Sequence, residues 1–214
     1  GCKRMTPKTP PIRREVTASG EGLQLDQRTM HCWRFHDFGR IDQLQMEEVP
    51  IPVPASDEVL VKIDFAALNP ADKFLVMGLY PGAGVPPLSV GRDGCGQIVR
   101  VVPGGRFKLG DRVVFSGPTV GITRDGTLAE YVAITEQELM PLADWWSPED
   151  GAAGTKVFLT SWQALEKKKK VTAGEVVLVT GASGGVGLAA LALSKALGAR
   201  TIALSRSANK AQRL

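Results

Sequence analysis

Val176-Val177-Leu178-Val179-Thr180-Gly181-Ala182-Ser183-Gly184-Gly185-Val186-Gly187-Leu188-Ala189-Ala190 is the stretch that decides the fold. An apolar run of strand length ends on a glycine cluster. The cluster opens an alanine- and leucine-rich run with helical spacing, which is the pattern of a dinucleotide-binding βα turn. Gly181 permits the tight turn off the strand, and Gly184 and Gly185 remove the Cβ atoms that would keep the backbone from a pyrophosphate. Gly187 lets the helix lie close on its strand. Ala182, Ser183 and Val186 complete the turn, and the helix N-terminus offers phosphates its free N–H groups and the positive end of its dipole.

Downstream, the helix is expected to run to about Leu197 with Gly198 at its end, and Thr201-Ile202-Ala203-Leu204 makes a second strand. An NAD-preferring site places Asp or Glu near the end of that strand to accept the ribose hydroxyls. Here the chain reads Ser205-Arg206-Ser207-Ala208-Asn209-Lys210. A hydroxyl flanked by two cations suits the 2′-phosphate of NADP(H), so Ser205, Arg206 and Lys210 are candidate cofactor residues. Exposed charges on a loop are the alternative reading of the same residues.

Upstream, Ser147-Pro148-Glu149-Asp150 is a helix start, with Ser as cap and acids in the first turn. The helix it opens leads through Leu165 to Lys167–Lys170, a solvated cationic run at the negative end of the dipole. Before Pro141 the pattern is that of short strands: His31–Phe35, Val59–Phe65, Gln97–Val102, Asp111–Phe115 and Leu128–Ile134, each bounded by Gly, Pro or Asp. These predict a small barrel-like β-domain, interrupted by one helix over Pro70–Val76 behind Asn69 as N-cap. Proline-dense Val49–Pro54 and Tyr80–Pro87 are expected to be irregular.

Composition narrows the class. The chain has 214 residues, 43% hydrophobic and 22% charged, and no apolar run long enough for a membrane span. Its formal charge of +4 is concentrated in residues 1–29, where six cations face three acids. The basic balance is therefore a property of the leader, and no nucleic-acid partner is expected. That leader lacks hydrophobic periodicity and is expected to be disordered, with organellar import a minor possibility beside a cytoplasmic location. Cys2, Cys32 and Cys95 have neither the count nor the spacing of a disulfide framework or a zinc site, which suits a reducing compartment. The expected domains are a leader at 1–29, a β-rich domain at 30–146, and linker helices with the start of a nucleotide-binding domain at 147–214.

From about His31 onward the chain resembles the medium-chain dehydrogenase/reductase superfamily, in its zinc-free quinone oxidoreductase and enoyl reductase branch. The matching pieces are Trp33-Arg34-Phe35 with Phe38-Gly39, Asp57-Glu58-Val59-Leu60-Val61-Lys62, Ala67-Leu68-Asn69-Pro70-Ala71-Asp72, Gly91-Arg92-Asp93-Gly94-Cys95-Gly96, Gly110-Asp111-Arg112-Val113, Gly126-Thr127-Leu128-Ala129-Glu130-Tyr131-Val132 and the Ala182–Gly187 turn. The resemblance implies an α/β chain: a GroES-like β-barrel catalytic domain, then the start of a Rossmann domain, with the substrate between them. Zinc-dependent relatives keep a cysteine ligand where this chain has Asn69-Pro70-Ala71-Asp72, and a His-Glu pair where it has Arg92-Asp93, so no metal is expected.

The resemblance also implies roles. Asn69 would hydrogen-bond the substrate or the nicotinamide ribose, Thr160 would lie near the nicotinamide, and Tyr80 would donate a proton or stabilise an enolate. A phenol does that when a positive charge or a hydrogen bond eases its ionisation. The same residues also read as a helix cap (Asn69), loop packing (Tyr80) and a plain helix residue (Thr160). Phe74 stands where many quinone reductases have a tyrosine, so a second polar contact is expected to be missing. The implied reaction is hydride transfer from NADPH to a quinone or α,β-unsaturated carbonyl, in a protein that is a homodimer at full length.

A doubly wound domain needs about six strands at roughly 30 residues per βαβ unit, and 39 residues follow from Val176 to Leu214. The expectation is a truncated enzyme whose nicotinamide pocket is incomplete and whose Val177, Val179, Ile202 and Leu204 are poorly covered. The alternative function is a catalytically silent half-enzyme that acts at most as a weak binding module.

Overall fold

A computed structural model describes residues 28–212 and 214. Residues 1–27 lie outside that range, and with them almost all of the expected disordered leader. The first strand already begins at Thr29.

Among the described residues ten strands form three sheets. β1 (Thr29–Phe35) pairs antiparallel with β2 (Gln45–Pro50) and with the short β4 (Leu88–Ser89). The largest sheet has the order β7-β3-β5-β6-β8, with β3 at Glu58–Ala67, β5 at Asp93–Arg100, β6 at Arg112–Phe115, β7 at Tyr131–Thr135 and β8 at Leu139–Pro141. Backbone bonds from Trp33 N to Leu128 O and from Glu130 N to His31 O join the first sheet to the approach of β7. Met30 of β1 packs with Leu60 of β3 in one small cluster, and the five-stranded sheet curls around a larger core of its own. Val59, Val61, Ile98, Val113, Phe115, Val132, Ile134 and Leu139 fill it, each at most 2% exposed. Their alternation along the strands is the period-2 pattern that directs every second side chain inward.

The predicted strands are present with shifted ends. β5 starts at Asp93, four residues before the expected Gln97, because Asp93–Gly96 pairs with Ala67, Ala66, Phe65 and Ile63 across a bulge in β3. β2 is a correction: proline density hid a strand whose ladder to β1 runs from Gln45 to Pro50. Pro50 closes the strand at the sheet edge, where a missing donor costs nothing. Helix α1 occupies Pro70–Val76 as expected.

α2 (Pro148–Trp162) starts on Ser147, whose side chain accepts from Asp150 N, and runs into a π-helical turn at Gln163–Lys169. Its first turn lies on the barrel: a Cβ on Gly151 would sit 2.5 Å from Leu142 Cδ1 and 3.0 Å from Val114 Cγ1. Its second half lies on α3 (Gly185–Ala196), where Ser161 Oγ donates to Val186 O at 2.9 Å. α2 is thus the joint between the barrel and the unit that α3 belongs to.

That unit consists of β9 (Val176–Thr180) paired in parallel with β10 (Arg200–Leu204), α3 between them in sequence, and a final turn, α4 (Ala208–Ala211). Val179 is buried under α3, contrary to the expectation that it would be poorly covered. Ile202 and Leu204 are each 49% exposed, as expected.

Candidate functional site

Two clusters stand on either side of α2. The first is the βα turn. Gly181 adopts φ +63°, the left-handed conformation that a tight turn off β9 requires. A Cβ on Gly187 would stand 2.6 Å from Gly181 O and 2.7 Å from Ala182 Cα, so this glycine lets α3 close on the turn. A Cβ on Gly184 would meet only Gly181 O, at 3.4 Å, leaving open space in front of the helix N-terminus. Gly185 has a different role from the expected one: its missing Cβ makes room for Val157 Cγ1 of α2, at 3.0 Å.

The open space is a cavity of about 890 Å³ lined by Thr180, Gly181, Ser183, Gly184, Leu204, Ser205, Arg206, Ser207 and Lys210. It brings the glycine turn and the expected Ser205, Arg206 and Lys210 into one place. Ser183 Oγ and Ser205 Oγ are 3.4 Å apart, and Ser207 caps α4 by accepting from Lys210 N. Leu188 N already bonds Gly184 O, whereas the N–H groups of Gly185, Val186 and Gly187, in the first turn of α3, have no helical acceptor. A cradle with free N–H groups, two hydroxyls and two cations fits a phosphorylated dinucleotide.

The second cluster sits where α1 meets β5. Asn69 and Asp72 form the capping-box pair that starts α1, with Asn69 N donating to Asp72 Oδ2 at 2.7 Å. Asn69 does more than cap: its Nδ2 donates to Asp93 Oδ2 at 2.7 Å. Tyr80 accepts a hydrogen bond from Arg92 Nη1 at 2.8 Å, and the guanidinium lies 4.9 Å from the ring centroid. The phenol oxygen is thereby held by a cation, while its own O–H stays available to another acceptor. Lys156 reaches in from α2 and donates to Gly117 O at 2.8 Å.

Arg92, Asp93 and Lys156 were not singled out as working residues by the sequence. Their signal was present only in part: Arg92-Asp93 falls where zinc-dependent relatives have a ligand pair, and Lys156 is the one cation within α2. Burial lifts the Asp93 carboxyl to about 6, against the pull of Asn69, Lys156 and Arg92. Burial also raises Asp72 and lowers Lys156. Asp72 Oδ1, Asp93 Oδ1 and Arg92 Nε are buried without a hydrogen-bond partner among the described residues.

Thr160 stands apart. It is exposed on α2, and its hydroxyl makes no hydrogen bond to Asn69, Tyr80 or any other described residue. Phe74 projects half-exposed from α1 and adds no polar contact.

Among the described residues no group of three or more His, Cys, Asp or Glu side chains could hold a metal ion, and Arg92 and Lys156 put cations beside the Asp93 carboxylate. His31 and His36 pair instead with Glu130 and Glu47. Cys32 and Cys95 are free and buried, and burial pushes the Cys95 thiol up to about 11, so neither is a ready nucleophile or ligand. No described helix is long and apolar enough to cross a membrane.

Residues 55–144 match the alcohol dehydrogenase GroES-like domain family. The chain is 33% identical over 178 residues to the quinone oxidoreductase of Homo sapiens, covering 82% of this chain and 53% of that protein. In structure it resembles the quinone oxidoreductase of Pseudomonas syringae pv. Tomato DC3000, with TM-score 0.78, 32% identity, and 86% and 55% of the two chains covered. It also resembles an NAD-dependent alcohol dehydrogenase, with TM-score 0.79, 33% identity, and 86% and 60% covered. The chain spans about half the length of the curated relatives it matches.

Proposed function

The chain carries an alcohol dehydrogenase GroES-like domain in the fold of the medium-chain dehydrogenase/reductase superfamily, and on that premise we propose that it is the catalytic and phosphate-binding part of a zinc-independent, NADPH-dependent reductase of quinones or α,β-unsaturated carbonyls. The observation that carries this reading is the single cavity that joins Ser183 and Gly184 of the βα turn to Ser205, Arg206 and Lys210.

Each residue has a physical task. The first-turn N–H groups of α3 receive the pyrophosphate, where backbone donors and the dipole both favour an anion. Ser205 hydrogen-bonds the 2′-phosphate, and Arg206 and Lys210 neutralise it; an acid at this place would repel it. When bound, the nicotinamide supplies a hydride. Asn69, held by Asp93, orients the substrate or the nicotinamide ribose. Tyr80 donates the O–H proton that the reduced oxygen requires, and Arg92 stabilises the phenolate that remains. A quinone or enone is already electrophilic, so these donors suffice without a Lewis acid. Thr160 lies near the nicotinamide on this reading, through a contact that forms only with the ligand in place.

The test is NADPH oxidation by this chain with a soluble benzoquinone, followed at 340 nm against NADH. The reading expects NADPH to be preferred; equal use of both would refute the assigned 2′-phosphate site. The exposed faces of β9 and β10 favour a second reading, a module that binds the nucleotide without turning it over. NADPH binding in calorimetry with no oxidation selects that one. A cytoplasmic location accords with two free buried cysteines, and a homodimer is the assembly implied for the whole protein.

A further inference from the structure

We infer that Asp93 and Lys156 are positioning residues for Asn69: the ionised Asp93 carboxylate grips the Asn69 amide nitrogen, and Lys156, carried by α2, keeps that carboxylate charged. The inference concerns how the candidate site is held, and it rests on the reading of Asn69 as a working residue.

Three observations carry it. Asp93 is 1% exposed and accepts from Asn69 Nδ2 at 2.7 Å, so a solvent-shielded acceptor sets the direction of the amide. A charged acceptor makes that bond roughly twice as strong as a neutral one. Among the described residues Asp93 Oδ1 has no hydrogen-bond partner, so the second oxygen draws its support from nearby charge rather than from another donor. Lys156, anchored to Gly117 O at 2.8 Å, acts on Asp93 by its charge at longer range than an ion-pair contact.

Every charged group that faces Asp93 is identifiable. Lys156 from α2 and Arg92 from its own strand favour the ionised form, Asp72 from α1 opposes it, and Asn69 hydrogen-bonds it. Glu138, beside Lys156, keeps the ammonium charged and is itself occupied by Thr119 N and Oγ1. Among the described residues, Lys156 is the charged group of α2 that acts on Asp93.

The placement of α2 gives this arrangement a consequence. One turn past Lys156, Ser161 holds Val186 O at the head of α3, and Val157 fills the space left by Gly185. The helix that seats the phosphate turn thus also charges the clamp on Asn69. Displacing α2 would slacken both.

The test is NMR of the whole chain, with the Asn69 side-chain amide and the Asp93 carboxyl carbon followed from pH 4.5 to 8. The wild type should show both signals moving together with a midpoint near about 6. Lys156→Met should raise that common midpoint by about one pH unit or more, and Lys156→Arg should bring it back. An Asn69 amide that stays flat while Asp93 titrates would overturn the inference. So would a midpoint unchanged in Lys156→Met. The wild-type titration alone decides the first point should Lys156→Met not fold. NADPH oxidation on the same samples separates the two readings: coupled titration without turnover removes the reductase reading and leaves the clamp, whereas turnover with a flat amide does the opposite.

Discussion

β3 and β10 are built from the same kinds of residue and meet opposite fates. In β3, Glu58–Val61 are all buried; in β10, all five residues from Arg200 to Leu204 are exposed. Both segments are rich in the branched apolar residues that favour strands. The difference lies in what surrounds them. β3 runs between β7 and β5 with the curled barrel closing over its inner face, whereas β10 has one strand neighbour, β9, and one helix, α3. Local pattern makes a strand, and neighbours bury it. The exposed apolar surface of β9 and β10 includes Val176, Leu178, Ile202 and Leu204, each about half exposed, which is more than an isolated surface residue would need explaining.

The sharpest way to break this contrast is truncation on each side of it. Phe115→Ala, in the middle of the barrel core, should cost roughly 3–5 kcal/mol of unfolding free energy in urea, since the phenyl ring is fully buried and the surrounding strands cannot collapse onto the space it leaves. A cost near 1 kcal/mol would mean the barrel core is much looser than its burial indicates.

Next in size is the buried carboxyl. Asp93 is raised to about 6 in the folded protein and has an ordinary carboxylate value near 3.9 when unfolded. The folded state therefore holds the proton more tightly, and Asp93's contribution to stability is fully present below about 4 and lost as pH rises through about 6. The loss is of order 2–3 kcal/mol. Asp93→Asn should flatten this part of the pH–stability curve; the same fall in that variant would assign it to another group.

The turn itself comes third. Gly187→Ala forces a Cβ against backbone atoms of Gly181 and Ala182 and should cost about 1–3 kcal/mol. Gly184→Ala meets nothing closer than 3.4 Å and should leave stability nearly unchanged while weakening NADPH binding. Calorimetry that found the two variants equally destabilised would erase the distinction between a packing glycine and a cradle glycine.

Arg206→Glu should then lower the NADPH-to-NADH affinity ratio by roughly tenfold or more, without a change in melting temperature, because an anion replaces a cation at the proposed 2′-phosphate position. An unchanged ratio in a binding titration would return Arg206 to the status of an exposed loop charge. The smallest effect belongs to Ile202→Ala on β10. At 49% exposure it should cost about 1 kcal/mol or less, and a barrel-sized loss there would mean that β10 is packed as tightly as β3.

Much of the architecture was legible because it depends on local chemistry. Asn69-Pro70 starts α1 at the expected residue, Ser147 caps α2, and the glycine run turns β9 into α3. These signals are set within a few residues by caps, φ preferences and apolar period. β2 escaped because its pairing with β1 is a long-range event, and prolines at an edge do not prevent it. The candidate site was half legible for the same reason. Ser205, Arg206 and Lys210 lie within one turn of chain and were found together. Asn69, Tyr80, Arg92, Asp93 and Lys156 are spread over 88 positions of sequence, and no period or spacing marks them as a group.

Most of the elements, their order, the glycine turn and the cations after β10 could be read along the chain, since each depends on groups that are neighbours in it. Packing alone set Asp93 against Asn69, Arg92 against the Tyr80 hydroxyl, and Lys156 of α2 against Gly117 O of the barrel. Those contacts join α1, β5, α2 and the loop before β4, and their strength comes from exclusion of water, which packing creates and no stretch of sequence contains.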